Sequence, residues 1–443
     1  MTAVLLPRVA AVACLVALPL AGAPGAAAVT PPPIDSAALP EPAPPAPPRR
    51  TMQRGQCASG TRTVGSTAGT QLADLGLPDV WPLTRGAGQT IAVIDTGVAR
   101  HRLLPRLVPG GDYVSTGDGT GDCDGHGTIV AGIIGAAPSS GFSGVAPEAT
   151  IIGIRQSSNR FSAVDDPAGS GFGDVDTLAM AVRAAADMGA TVINVSSVAC
   201  VSAGDPLDDR ALGAALSYAV DVKNVVVVSA AGNIGAPGQC PEQNPSRGRP
   251  DWSNLNAVVS PAWYDDYVLT VGSADADGAA SRFSLAGPWV DVAAPGEGVV
   301  SLDPDGEGLV DALTTDSGET PLFGTSYAAP VVSGIAALIR SRSPELSARQ
   351  VMQRIEATAR HPAAGWDPTL GHGVVDALAA VTGGLPPSPA DRREPLRPTV
   401  PPPPTDDRAG PVAIRGAAVC LGLTAALIAV TRLRRRPDRV ARD

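Results

Sequence analysis

The chain has 443 residues, 44% hydrophobic and 17% charged, with 33 basic against 43 acidic side chains and a formal net charge of -10. That is enough apolar material for one large core or two smaller ones, and the acidic balance argues against a general nucleic-acid binder. The 44 prolines are clustered: nine fall in residues 31–50 and ten in 386–411, so two linkers bracket a more ordinary globular centre.

At the N-terminus Arg8 precedes an apolar run from Val9 to Leu20 and small residues closing on Ala26-Ala27-Ala28. This order of charge, apolar core and small residues predicts a secretory signal peptide over 1–28, and the run is shorter than the roughly 20 residues an anchor helix needs. A Pro-rich extension over 29–59 follows. The central domain, 60–381, leads into a second Pro-rich linker over 382–411. Beyond it, Val412 to Val430 is apolar except for Arg415, and Arg432, Arg434, Arg435 and Arg436 follow at once. The pattern predicts a transmembrane helix over 412–431 and, by the positive-inside rule, a cytoplasmic tail over 432–443, with the central domain extracytoplasmic. Cys14 leaves with the signal peptide and Cys420 sits in the membrane segment. Cys57, Cys123, Cys200 and Cys240 remain. An even number in an oxidising compartment implies two disulfides, with three connectivities open, and no C-x-x-C spacing points to a metal instead.

Through the centre, β-branched runs alternate with Ala-rich helical stretches. Strands are expected at Thr90 to Ile94, Thr150 to Ile154, Thr191 to Val195, Asn224 to Ser229 and Val268 to Val271. Helices are expected at Asp174 to Met188, Asp208 to Val220, Ser326 to Arg342 and Ser347 to Thr358. The alternation predicts an α/β domain of three layers with a mainly parallel sheet, whose ligands sit beyond the carboxyl ends of the strands.

That rule says where chemistry belongs. Asp95 ends the first run in Asp95-Thr96-Gly97, His126 opens a helix in Asp124-Gly125-His126-Gly127-Thr128, and Ser326 opens another in Gly324-Thr325-Ser326. Serine is a poor nucleophile at neutral pH and needs a base. Imidazole titrates near 6.5 and can both take and return the proton, while a buried carboxylate fixes its tautomer. Asn233, in Ala230-Ala231-Gly232-Asn233 after an apolar run, is the candidate amide donor to an oxyanion, alongside the free N–H groups at the helix start.

The order Asp95, His126, Asn233, Ser326 with these flanks resembles the subtilisin-like serine proteases over about residues 75 to 381. The likeness implies Asp95 as orienting acid, His126 as general base, Ser326 as nucleophile and Asn233 as oxyanion donor. Cys57, Gly121-Asp122-Cys123-Asp124, Asn194-Val195-Ser196-Ser197-Val198-Ala199-Cys200 and Ser260-Pro261-Ala262-Trp263-Tyr264-Asp265-Asp266-Tyr267, with the two linkers and the C-terminal helix, resemble the mycosins, membrane-anchored subtilases of type VII secretion systems. That narrower likeness implies the pairs Cys57 with Cys123 and Cys200 with Cys240, and type VII secretion membrane components as partners.

The chain departs from the wider family at Ser196-Ser197-Val198, where many subtilases have Ser-Leu-Gly, so subsite preferences do not transfer. The extension is also too short and Pro-rich to fold alone as a pro-domain. No cofactor or metal is expected. Asp165-Asp166 and Asp265-Asp266 read as solvated loop charge, Gly169 to Gly173 as a loop, and His101, His361 and His372 as surface or structural residues. The leading functional expectation is a membrane-anchored serine endopeptidase acting on exported proteins. The alternative is a structural subunit of the secretion complex with catalysis secondary.

Overall fold

The computed structural model describes residues 29–62, 70–139, 141–169, 171–235, 239–246, 248–315, 318–384 and Val430. It divides into Met1–Pro386 and Pro387–Asp443, and of the second unit only Val430 is described. The expected signal peptide, and the expected membrane helix apart from Val430, lie outside the described residues. Among the described residues no helix is long and apolar enough to cross a membrane.

Too rich in proline to build a core, the chain from residue 29 runs across the first unit and is tied down at intervals. Val29 N–H donates to Trp252 O (2.8 Å), and Arg183 Nη1 donates to Pro40 O (3.1 Å). Strand β1 (Thr51–Gln53) pairs antiparallel with a later strand, and β2 (Ser59–Arg62) does the same in a small sheet. Short α1 (Leu77–Val80) then leads into the main sheet.

The five expected β-branched runs form the middle of that sheet as β3 (Thr90–Asp95), β5 (Thr150–Arg155), β7 (Val192–Val195), β9 (Val226–Ala230) and β11 (Leu269–Ala274). Its edges are β4 (Leu107–Asp112) and β12 (Val292–Pro295), in the order β12-β11-β9-β7-β3-β5-β4, with every pair parallel. Sequence pattern passes over β4 because Leu107-Val108-Pro109-Gly110-Gly111-Asp112 reads as a turn, and only an edge strand tolerates such a proline. Central strands are buried throughout, as continuous apolar runs require when both faces are covered.

Helices supply the cover. One pair is α2 (His126–Gly135) with α5 (Thr325–Arg342), and the other is α3 (Val175–Asp187) with α4 (Arg210–Ser217); each pair packs on itself and on the sheet. Residues of α5 are buried from Thr325 to Arg340 with the exception of Ser326, so this mostly apolar helix is covered on every side. Asp174 caps α3 in a reciprocal box with Thr177, and Ser347 caps α6 (Ala348–Thr358) in another with Gln350. A last turn, α7 (Ala377–Thr382), follows the bend at Gly371-His372-Gly373.

Antiparallel pieces flank this frame. Strand β1 pairs with β6 (Phe161–Ala163), and β8 (Ala199–Ser202) pairs with β10 (Ala257–Ser260). Strand β14 (Leu309–Thr315) lies between β13 (Ser301–Leu302) and β15 (Gly318–Pro321) and also receives β2. Disulfides join Cys57 to Cys123 and Cys200 to Cys240. The first fastens the extension three residues before His126, which opens α2, and Ala58 N–H donates to Cys123 O (2.8 Å) beside it. The carboxyl ends of β3, β7 and β9 and the N-termini of α2 and α5 converge on one rim.

Candidate active site

Asp95 is the last residue of β3 and is fully buried. Its Oδ1 accepts from its neighbour Thr96 N–H (2.8 Å) and from His126 Nδ1 (2.7 Å). The second bond fixes the imidazole as the Nδ1–H tautomer and leaves Nε2 as an acceptor. His126 opens α2, its side chain 24% exposed. Gly127 behind it has no room for a side chain: a Cβ there would stand 2.0 Å from Gly97 O, so glycine is what lets the helix start against the end of β3.

Beneath the histidine lie two further carboxylates whose function the sequence did not single out. Asp122 receives four donors. Thr96 Oγ1 (2.8 Å) and Gly125 N–H (2.8 Å) reach Oδ1, while Thr128 N–H (2.8 Å) and Thr128 Oγ1 (2.7 Å) reach Oδ2. It therefore ties the end of β3 to the first turn of α2 on both sides of His126. Asp124 accepts from Asn159 N–H (2.8 Å) and from the Ser158 hydroxyl, joining the same segment to the loop before β6. Burial pushes both carboxyls above their ordinary range, while these donors pull the other way. Burial also pulls the His126 imidazole down, but the Asp95 charge and hydrogen bond, reinforced by Asp122 and Asp124, more than offset this and leave it raised above 6.5.

The serine side is built from neutral groups. Ser326 lies in the first turn of α5, after Gly324 at φ 147°, where an L side chain would be strained. Two donors from Thr325, its N–H (2.9 Å) and hydroxyl (3.1 Å), reach Asn233 Oδ1. They orient the amide, so Nδ2 is left as the free donor, close to Gly324. Gly232 N–H in turn donates to Thr325 Oγ1 (3.2 Å). The Ser196 and Ser326 hydroxyls are exchanged between backbones: Ser326 Oγ donates to Ser196 O (3.1 Å) and Ser196 Oγ to Ser326 O (2.8 Å). Behind them Asn194 Nδ2 donates to Ser196 Oγ (2.9 Å), and Ser333 Oγ to Asn194 Oδ1 (2.8 Å).

The two sides meet where the Tyr327 ring, next in sequence to Ser326, stands 5.2 Å from the His126 ring. Among the described residues no hydrogen bond runs from Ser326 Oγ to His126. The hydroxyl instead rests on Ser196 O, and a rotation about its Cα–Cβ bond is what redirects it. The structure pairs Asp95 with His126 and Asn233 with Thr325, and it places Ser326 in the first turn of α5 with its hydroxyl turned aside. His101 is buried with Nδ1 accepting from Leu103 N–H (3.0 Å), and His361 Nδ1 bonds His372 O (2.7 Å); both lie outside the cleft. Among the described residues no group of three or more His, Cys, Asp or Glu side chains could hold a metal ion.

A parallel sheet with an aspartate-bound imidazole, a helix-opening serine and an oriented amide on one rim is the layout of a subtilisin-like serine protease. The model of the Subtilase family matches residues 86–373. Mycosin-4 of Mycobacterium tuberculosis is 58% identical over 447 residues, spanning 98% of this chain and 97% of its own. Among solved structures, the MycP3 protease from the type VII (ESX-3) secretion system is 44% identical, with a TM-score of 0.74 over 80% of this chain and all of that one. A chain of the intact ESX-5 inner membrane complex is 41% identical, with a TM-score of 0.76 over 91% of this chain and all of that one. The chain belongs to the mycosins, subtilisin-like serine proteases within the Subtilase family.

Proposed function

We propose that Ser326 is the nucleophile, His126 the general base, Asp95 its orienting acid and Asn233 the oxyanion donor of a membrane-anchored endopeptidase acting on exported proteins beside a type VII secretion complex. Ser326 Oγ attacks the scissile carbonyl and passes its proton to His126 Nε2. The resulting oxyanion takes hydrogen bonds from Asn233 Nδ2 and Ser326 N–H. His126 then returns the proton to the leaving amine, and water repeats the cycle on the acyl-enzyme. The observation that carries this reading is the 2.7 Å bond from His126 Nδ1 to Asp95, which fixes Nε2 as the proton acceptor.

Membrane location rests on sequence: a signal peptide over 1–28, the extension 29–59, the catalytic domain 60–381 outside the cytoplasm, the linker 382–411, a helix over 412–431 and a basic tail over 432–443. A second reading, a structural subunit of the secretion complex, is supported by the likeness to a chain of the ESX-5 inner membrane complex over 91% of this chain. One pair of strains tests both. Ser326→Ala is expected to abolish cleavage of exported substrates while the protein stays at the membrane, and unchanged cleavage removes Ser326 as nucleophile. Secretion that survives Ser326→Ala but fails on deletion of the chain establishes the structural role beside the enzymatic one.

A further inference from the structure

A cavity of about 960 Å³ opens between the turn after β11, the segment that joins β12 to β13, strands β14 and β15, and Phe323 just before α5. Its floor is apolar and includes Phe283 and Phe323, whose rings meet at 5.1 Å; Phe323 is 43% exposed although it stands three residues before Ser326. Single backbone hydrogen bonds tie the walls to the catalytic groups. Gly324 N–H donates to Gly296 O (2.9 Å), next to Glu297, and Ile234 N–H, next to Asn233, donates to Phe283 O (2.8 Å).

The rim is acidic. Asp275, Glu297, Asp311 and Glu319 line it against one cation, Arg282. Asp275 is occupied in its own turn, accepting from Asp277 N–H (3.0 Å) and Ala279 N–H (2.9 Å). Glu297, Asp311 and Glu319 are exposed and, among the described residues, make no side-chain hydrogen bond or ion pair. Three uncommitted carboxylates over an exposed aromatic floor suit one kind of side chain, a long apolar stem with a cationic head. The methylenes cover the rings, the charge reaches the carboxylates, and the aromatic faces attract the cation further. Phe323 precedes Ser326 by three residues and the walls are bonded to the neighbours of Ser326 and Asn233, so a side chain a few residues from a bond cut at Ser326, at about 3.3 Å of extended chain per residue, is within reach of this mouth.

We infer that this cavity is a specificity subsite for an arginine or lysine side chain of the substrate, within about three residues of the scissile bond. The inference rests on the assignment of Ser326 as nucleophile, and its test separates the two. Peptides carrying Arg, Gln or Glu at one position at a time, over three residues on either side of the cleaved bond, are assayed with the full chain and with the Glu297→Gln/Asp311→Asn/Glu319→Gln variant. One position is expected to favour Arg over Glu by about tenfold, the scale of a few exposed ion pairs acting together, and to lose most of that preference at high salt. In the triple variant the preference, read as the ratio of Arg to Glu peptide within the same protein, falls to within about twofold.

A second arm measures anisotropy of the labelled Arg and Glu peptides on Ser326→Ala protein, with and without the three acid substitutions, and reads the same preference without cleavage. Failure of the Ser326 assignment shows as peptide cleavage that survives Ser326→Ala. Failure of the subsite shows as equal cleavage and binding of Arg and Glu peptides at every position, or a preference unchanged in the triple variant. A triple variant that loses association with the secretion complex but keeps its peptide preference also overturns the subsite, and gives the rim to a protein partner.

Discussion

The two walls of the cleft are held by different physics. On the histidine wall Asp95, Asp122 and Asp124 gather around one imidazole: Asp122 and Asp124 accept at both oxygens, and Asp95 at Oδ1, its Oδ2 having no hydrogen-bond partner among the described residues. On the serine wall Asn194, Ser196, Ser333, Thr325 and Asn233 form a chain of neutral hydrogen bonds with no ionised group in it. The histidine wall is also where the extension is stapled, through Cys57–Cys123, whereas the serine wall stands on the buried helix α5. The difference fits the proposed roles. A base must have its proton affinity set by nearby charge, while a nucleophile and an oxyanion donor need fixed direction, which dipoles supply without titrating.

Removing the proposed nucleophile breaks the serine wall outright. Ser326→Ala is expected to lower kcat by about a millionfold, and Asp95→Asn, which spoils the tautomer but leaves the hydroxyl, by about ten-thousandfold. Single-turnover cleavage of a peptide reads both. Equal residual rates in the two variants would deny that the walls make distinct contributions.

Next in size is the amide. Asn233→Ala is expected to cost about a hundredfold to a thousandfold in kcat with little change in KM, the loss of one oxyanion donor. Asn233→Asp is the sharper variant, because it keeps an oxygen for the two Thr325 donors and exchanges the donor Nδ2 for a carboxylate oxygen that repels an oxyanion. It should fall at least as far as alanine. Retained activity would mean that Asn233 serves as an anchor for α5 and nothing more.

How much of this was legible beforehand divides along the same line. The flanks of Asp95, His126, Asn233 and Ser326 name the four groups because each sits where a strand ends or a helix begins, a local property. The central strands and long helices are legible for the same reason. Asp122 is not: its donors come from Thr96, Gly125 and Thr128, and only the approach of β3 to α2 makes them converge. The acidic cavity likewise draws its carboxylates from the turn after β11, from Glu297 and from the two strands of a hairpin. Asp265, read from sequence as solvated loop charge, is exposed, but its influence on a distant residue was not legible: burial and the Asp265 charge push Glu356, on α6, above its ordinary range. Strand β4 hides behind its own Pro109.

The staple comes third. Cys57→Ser with Cys123→Ser opens a separation of 66 residues and is expected to lower stability by roughly 2–5 kcal/mol in a denaturant titration. Because the bridge borders the Asp122-Cys123-Asp124 segment, activity at a temperature where the variant stays folded should fall too. The matching change at Cys200 and Cys240, separated by 40 residues, should reduce stability by a similar amount. A purely global effect of both bridges, with identical kinetics per folded molecule, would remove the special tie between the extension and the histidine wall.

The smallest effect is the most diagnostic of charge. With His126 as the proposed base, cleavage needs its neutral form, and its raised pKa places the acid limb of kcat/KM above pH 6.5. Asp122→Asn removes a negative charge that favours the imidazolium, so the limb should move to lower pH while kcat at the plateau falls by about tenfold through looser positioning. The stability sign is opposite. A histidine raised in the folded state contributes stability that is fully present below its unfolded pKa near 6.5 and is lost as pH rises through the folded value. The wild-type protein therefore loses that increment over the pH interval in which its base becomes competent, and Asp122→Asn should shrink the increment and shift the interval downward together. No Ser333→Ala or Thr325→Val variant on the neutral wall should move the limb at all. A limb that shifts with those, or stays fixed in Asp122→Asn, would erase the division between a wall tuned by charge and a wall fixed by dipoles.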